Sequence, residues 1–238
     1  MNHPTTAMVM AAGLGTRMRP LTNQRPKALV EVAGKALIDH TLDRLEEAGV
    51  TKAVVNVHAF AELMEDHLAR RRSPQILISD ERAGLLETGG GLKRARAMLG
   101  EDPIWVANSD YVWIEGVDRP LDMLARTWDP AAMDACLIVI PKDRTLGFDT
   151  PGDFFRDATG RLAHRGDAAE APLHCFGVEI LDPTLVYAVR DDRFSLFQVW
   201  MAAAARGRLH GVTPDGLWMQ VGDPAALELA EARLAARA

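Results

Sequence analysis

Short apolar runs alternate with helix-spaced apolar positions along the first half of this 238-residue chain. Ala7 to Met10, Ala53 to Val57, Ile76 to Ser79 and Ile104 to Ala107 have the length and content of strands. Between them, Leu37, Ile38, Leu42 and Leu45 keep a 3.6-residue spacing, and Gly49 closes that helix. Leu63, Met64 and Leu68 mark a second helix, and Leu92, Ala95 and Leu99 a third. Strands separated by helices predict a mostly parallel sheet with helices on both faces, whose ligands gather outside the carboxyl ends of the strands.

The pattern changes after the strand Ala135 to Ile140. "GDFFRDATGRLAHRG" holds two short runs around an Ala-Thr-Gly turn and reads as a hairpin. The strand "LHCFGVEIL" precedes an apolar helix, Ser195 to Ala205, and "LHGVTPDGLWMQVG" reads as a strand pair around Pro-Asp-Gly. A last helix starts near Pro224. No repeat, low-complexity tract or linker divides the chain, so one α/β domain over 1–238 is expected, with a mixed, mostly parallel sheet and a small β lobe added by the second half.

Composition narrows the function. With 48% hydrophobic residues the chain can bury a sizeable core, which excludes disorder. A net charge of −6 argues against nucleic acid or an anionic membrane surface as partner. No apolar run approaches the ~20 residues of a membrane-spanning helix. Cys136 and Cys175 lie in apolar runs without metal-ligand spacing and no leader precedes them, which reads as a reduced, cytoplasmic protein.

Against that acidic background the cations just after the first strand are a local concentration. A glycine-rich turn there exposes backbone N–H groups, which cradle an anion where no side chain blocks the approach. Gly13 and Gly15 supply the turn; Arg17, Arg19, Arg25 and Lys27 add charge, and Pro26 stiffens the approach to Lys27. Together they suit a triphosphate or pyrophosphate, though the spacing fits neither the P-loop nor the dinucleotide fingerprint. Any one of these residues alone reads as part of a solvated basic loop.

The whole stretch "MAAGLGTRMRPLTNQRPKALVEVAGKALI" resembles the signature of the sugar-phosphate nucleotidyltransferases, a GxGTRxxPLT loop and a PKxL segment ahead of a helix. "LLETGGGL" at 85–92, "VANSD" at 106–110, "HCFGVEIL" at 174–181 and "LWMQVG" at 217–222 follow in order, so the resemblance covers nearly the whole chain. It implies a Rossmann-like fold, with a nucleotide-binding half over about 1–130 and a sugar-binding half over about 131–238. The implied reaction joins a nucleoside triphosphate to a sugar 1-phosphate and releases pyrophosphate, with Mg²⁺ as cofactor. The short length, the "LETGGG" segment and the end after one terminal helix look most like the members that uridylylate N-acetylmuramate 1-phosphate in bacterial wall recycling, which favours UTP. The same lack of further C-terminal elements favours a monomer.

Such a reaction needs no covalent intermediate, only the alignment of two anions and neutralisation of developing charge. On this reading Arg17 grips the leaving β- and γ-phosphates as a planar fork, and Lys27 meets the α-phosphate or sugar phosphate as a point charge. Asp110 ends "PIWVANSD" at the carboxyl end of a central strand and suits Mg²⁺. Ser109 stands where the family has glycine. The family's second metal aspartate is Gln220 here; Asp223 is an alternative ligand, but with Pro224 behind it reads more readily as a helix N-cap.

The implied nucleotide-binding set is Met10, Ala11, Ala12, Gly13, Gly15 and Thr16, with Glu87, Gly89 and Gly90 from "LETGGG"; Thr88 also reads as an N-cap and Gly89 to Gly91 as packing glycines. The implied sugar-binding set is Asn108, Gly152, Asp153, Phe176, Gly177 and Glu179, with core packing an equal reading of Phe176. His58 reads as a structural strand-end histidine, since a sugar phosphate is already ionised and needs no base. Two rivals stay open: a mannose or heptose 1-phosphate guanylyltransferase, and a nucleotide-sugar sensor that binds without transfer, motivated by Gln220.

Overall fold

A computed structural model describes residues 3–236. The apolar runs of the first half become parallel neighbours: β1 (Thr6–Met10) is followed by the two-residue strands β2 (Glu31–Val32) and β3 (Lys35–Ala36), α1 (Leu37–Glu47), β4 (Lys52–Val57), α2 (Ala61–Leu68) and β5 (Gln75–Asp80). Next come α3 (Glu87–Arg94), α4 (Arg96–Leu99), β6 (Ile104–Asn108), β7 (Tyr111–Glu115) and α5 (Pro120–Thr127). The second half contributes β8 (Ala135–Pro141), β9 (Thr145–Leu146), β10 (Phe154–Arg156), β11 (Leu162–His164) and β12 (Leu173–Leu181). It closes with α6 (Thr184–Tyr187), α7 (Phe197–Ala205), β13 (Leu209–Val212), β14 (Gly216–Gln220) and α8 (Pro224–Ala235).

Strands β5, β4, β1 and β6 lie side by side, all parallel. The sheet continues without a break: β12 runs antiparallel to β6, β8 antiparallel to β12, and β13 parallel to β8. The hairpin β10–β11 joins β12 near its start. Because alternate strand residues face opposite ways, the sheet buries two layers. Ala7, Val9 and Trp105 pack with α1, α2 and α5, while Met8, Val54 and Ile104 pack with α3, α4, α6 and α7. The expected mixed, mostly parallel sheet flanked by helices is what forms.

A second, three-stranded sheet, β7-β14-β9, was not expected. The strands around Pro-Asp-Gly do not pair with each other: β13 adds to the main sheet beside β8, and β14 crosses to lie antiparallel to β7. Burial decides this. β13 is buried at all four positions against β8, whereas Met219 and Val221 pack with Val112, Met18 and α8 in a separate cluster. This small sheet fastens the glycine-rich loop, the end of β6 and the start of α8 together. Strand β7 and helices α5 and α6 are further elements that the sequence reading did not contain.

Candidate active site

The carboxyl ends of β1, β4 and β6 open on a cleft of about 350 Å³. Met10, Ala11, Ala12, Gly13, Gly15, Thr16, Arg17 and Lys27 line one side, and Asn108, Ser109 and Asp110 another. The glycine-rich stretch therefore does form a cleft wall at the strand ends, as its position after β1 demands. Among the described residues nothing engages the N–H groups of Gly13, Leu14 and Gly15.

The turn needs glycine at one position for a defined reason. Gly15 sits at φ +61°, and a Cβ there would come within 2.8 Å of the Lys27 Cβ and 3.1 Å of Thr22 Cγ2. Thr22 Oγ1 donates to the Gly15 carbonyl at 2.8 Å, closing the loop on itself. Gly13, by contrast, has nothing within 4 Å of a built Cβ and faces the open cleft.

Two of the three expected catalytic residues are paired. Lys27 Nζ lies 2.6 Å from Asp110 Oδ2, with side chains 14% and 22% exposed. The pair is partly shielded from water, at the mouth of the cleft. Arg17 has no ion pair or hydrogen bond among the described residues; its guanidinium lies over Gly222, where a Cβ would be 3.3 Å from Nη2. The cleft thus holds one neutralised cation and one unneutralised cation against the same loop.

Two lining residues escaped the sequence reading. Asn56 Oδ1, near the carboxyl end of β4, accepts from the N–H groups of Ala11 (2.6 Å) and Ala12 (3.2 Å). Its Nδ2 donates to Glu81 Oε1 at 2.8 Å, and Glu81 Oε2 accepts from Leu86 N at 3.4 Å. Asn56 and Glu81 are buried, and burial raises the Glu81 carboxyl above the usual range. This relay ties the glycine-rich loop to the turn before α3. A lone asparagine inside the apolar run "AVVNV" was the available signal. His58 Nδ1 pairs with the Glu81 carbonyl at 2.7 Å, the structural role expected of it.

The "LETGGG" segment divides. Glu87 and Thr88 line the cleft, but Glu87 Oε1 lies 3.4 Å from Arg193 Nε on the surface, and Glu87 adopts φ +62°. Thr88 does not cap α3: its Oγ1 accepts from Leu196 N at 2.9 Å. Gly89 and Gly90 sit beneath residues 192–194, donating to the Phe194 carbonyl at 2.8 and 3.1 Å. A Cβ on Gly89 would overlap the Phe194 ring, and one on Gly90 the Asp192 carbonyl. Their N–H groups are therefore spent on that strap, and only the packing reading of these glycines matches their place.

Of the expected metal positions, Asp223 Oδ1 accepts from Ala226 N at 2.9 Å and caps α8. Gln220 Nε2 donates to the Tyr111 hydroxyl at 3.2 Å. On the sugar side, Asn108 lines the cleft and Gly177, at φ +67° in the irregular middle of β12, packs on its amide. Phe176 is fully buried against Tyr111 and Trp218, with ring centroids 4.4 and 4.2 Å away, so it is core. Asp153 Oδ2 accepts from Cys175 N at 2.8 Å, and Gly152 takes φ +88° under Ala171; both brace the hairpin rather than line the cleft. Glu179 is 2% exposed, its Oε2 has no hydrogen-bond partner, and burial pushes its pKa up to about 8.

Backbone N–H groups, an unpaired arginine and a lysine–aspartate pair on one small cleft can bind and align a polyphosphate. The comparisons point the same way. Residues 6–148 match the family model "Nucleotidyl transferase". A relative from Caulobacter vibrioides, N-acetylmuramate alpha-1-phosphate uridylyltransferase, is 55% identical over 98% of both chains. The enzyme of that name from Neisseria meningitidis is 33% identical over 95% of this chain and 96% of its own. A mannose-1-phosphate guanyltransferase from Neurospora crassa is 32% identical over 92% of this chain, which spans 61% of it. Among solved structures, a UDP-glucose pyrophosphorylase complexed with UDP-glucose superposes with a TM-score of 0.80 at 15% identity, over 99% of this chain and 100% of the other. Like the Thermotoga maritima inositol-1-phosphate CTP transferase (TM-score 0.77, 17% identity, 96% of each chain), it attests the fold.

Proposed function

Because this chain belongs to the nucleotidyl transferase family, we propose that it transfers uridylyl from UTP to N-acetylmuramate 1-phosphate, releasing pyrophosphate, in the cytoplasm and in the service of cell-wall recycling. The observation that carries this reading is the 55% identity over almost the full length of both chains to a uridylyltransferase for that sugar. No helix among the described residues is long and apolar enough to cross a membrane.

The geometry supports a mechanism of positioning and charge neutralisation. The acceptor's phosphate oxygen attacks the α-phosphorus, the P–O bond to the β-phosphate breaks, and pyrophosphate departs with the electron pair. The free N–H groups of Gly13 and Gly15 cradle the phosphates. Arg17, unneutralised and exposed beside Gly222, meets the leaving pyrophosphate as a bidentate donor. Lys27, held in place by Asp110, meets the α-phosphate.

The residues fit a divalent cation of one kind. Among the described residues Asp110 has one oxygen on Lys27 and no protein partner on the other, and no group of three acidic, histidine or cysteine side chains is placed to hold a metal ion. That donor set suits Mg²⁺ shared between a single carboxylate and substrate phosphates, not a metal caged by protein. When bound, Mg²⁺ supplies charge neutralisation at the phosphates.

The test is pyrophosphate release with UTP, GTP, CTP, ATP and dTTP crossed against N-acetylmuramate, N-acetylglucosamine, glucose and mannose 1-phosphates, with Mg²⁺ and with chelator. Release confined to UTP with N-acetylmuramate 1-phosphate and lost with chelator is expected. Release with GTP and mannose 1-phosphate would replace the reading by a guanylyltransferase, and nucleotide binding without release by a sensor.

A further inference from the structure

The glycine-rich loop leaves β1 at Met10 and runs past Gly15 to Lys27, and both of its ends are fastened to the same two consecutive residues. At the entrance, the Met10 carbonyl accepts from Ser109 Oγ at 2.8 Å and from Ser109 N at 3.2 Å. At the exit, Lys27 Nζ meets Asp110 Oδ2 at 2.6 Å. Ser109 lines the cleft and is 5% exposed. Asp110 is moored to the small sheet in turn, its carbonyl accepting from Val221 N at 2.9 Å.

The entrance is the peptide unit at which regular strand gives way to open loop. Ser109 grips its carbonyl from the β6 side, and its N–H, on Ala11, donates to Asn56 Oδ1 at 2.6 Å from the β4 side. A peptide plane held at both ends cannot turn without breaking a buried hydrogen bond. Beyond it lie the N–H groups of Gly13, Leu14 and Gly15, so the tilt of that one plane governs where they point. The backbone N–H of Ser109 makes the longer of the two bonds to Met10, and the hydroxyl adds the shorter one on the remaining lone pair. A glycine, the residue the family carries here, would supply the N–H alone.

We propose that Ser109 is a positioning residue for the nucleotide's phosphates: its hydroxyl locks the loop entrance in register with Asp110, so that the free N–H groups of the loop and the Lys27–Asp110 pair converge on one polyphosphate chain. This rests on the reading of the reaction given above. With its proton spent on Met10 the hydroxyl has no donor left for an anion, so Ser109 acts on the phosphates only through the loop.

The test compares wild type, Ser109→Ala and Ser109→Thr by UTP affinity in calorimetry without acceptor, by the KM of each substrate in pyrophosphate release, and by thermal midpoint. Ser109→Ala keeps the backbone N–H on Met10, so the carbonyl stays paired and the fold is retained; Ser109→Thr keeps the hydroxyl. Ser109→Ala is expected to bind UTP about three- to tenfold more weakly, the worth of one neutral hydrogen bond, and to raise the UTP KM in step. The acceptor KM should stay within about twofold, and Ser109→Thr should return UTP affinity to within about twofold of wild type. A Ser109→Ala that melts lower yet binds UTP like wild type would make the hydroxyl a purely structural group and overturn the proposal. Equal losses for both substrates would overturn it too, as would a Ser109→Thr that melts like wild type but binds UTP no better than Ser109→Ala. A wild type that binds UTP beside an unshifted Ser109→Ala sinks the proposal alone; a wild type that neither binds UTP nor releases pyrophosphate sinks the functional reading with it.

Discussion

Lys27 and Asp110 stand 83 positions apart in the chain and 2.6 Å apart in space, Nζ to Oδ2. The pair closes the site across two elements: Lys27 belongs to the loop that follows β1, and Asp110 to the step from the main sheet into the small one. Neither charge is deeply buried, so the pair orients more than it stabilises.

Asp110→Asn removes the carboxylate and the anchor of Lys27 together. Turnover is expected to fall by about 10²–10³, the scale of losing a preorganised charge at a reacting centre. The far-ultraviolet circular dichroism should be unchanged because the side chain is partly exposed. An Asp110→Asn enzyme within about threefold of wild type would remove this residue from the mechanism.

Gly15 and Gly13 separate two roles of the loop. Gly15→Ala forces a left-handed residue and a 2.8 Å approach to Lys27, so it should cost about 1–2 kcal/mol of stability and weaken UTP binding. Gly13→Ala meets no protein atom within 4 Å, so it should leave the thermal midpoint unmoved and raise the UTP KM through the cleft alone. Thermal melts alongside UTP saturation curves distinguish them; equal melting for both variants contradicts the assignment.

Asn56→Ala strands two buried N–H groups, on Ala11 and Ala12, and leaves Glu81 Oε1 without its donor. A loss of about 1–3 kcal/mol in urea unfolding is expected, with a raised UTP KM as the loop loosens. Asn56→Ala that melts and saturates like wild type would show the relay to be inert.

Glu179 makes stability depend on pH in an unusual direction. Its folded pKa of about 8 lies above the unfolded value, so the native state keeps a proton that the unfolded chain has lost. The contribution is full below the unfolded pKa and declines as pH rises towards about 8. Melting temperatures of wild type measured across this window should therefore fall relative to those of Glu179→Gln, which keeps the shape without the titration. Parallel curves would mean that Glu179 does not carry this proton.

The parallel half was legible because each buried strand is a compact apolar run with a helix behind it, as Ala53 to Val57 and Leu37 to Leu45 show. Strand β7 was not, because only the two-residue turn Ser109–Asp110 separates it from β6, too short a break to stand out between two apolar runs. The Pro-Asp-Gly signal marked a real break between strands but a false partner rule, since burial sent β13 and β14 to different sheets. At the site, the loop cations were visible from charge against an acidic chain. Gly89 and Gly90 misled because a glycine that admits a ligand and one that admits a Phe194 ring look alike in sequence.

Strand β12 has a further consequence. Its last four residues zip to β6 while both its ends zip to β8, so the ladder that carries Asn108 also carries the second half of the chain. The spacing between the two halves of the chain is then fixed by interstrand geometry and needs no hinge to set it. Severing the chain near residue 130 would accordingly yield fragments whose activity returns only when they are mixed, and complementation would report the integrity of that one seam.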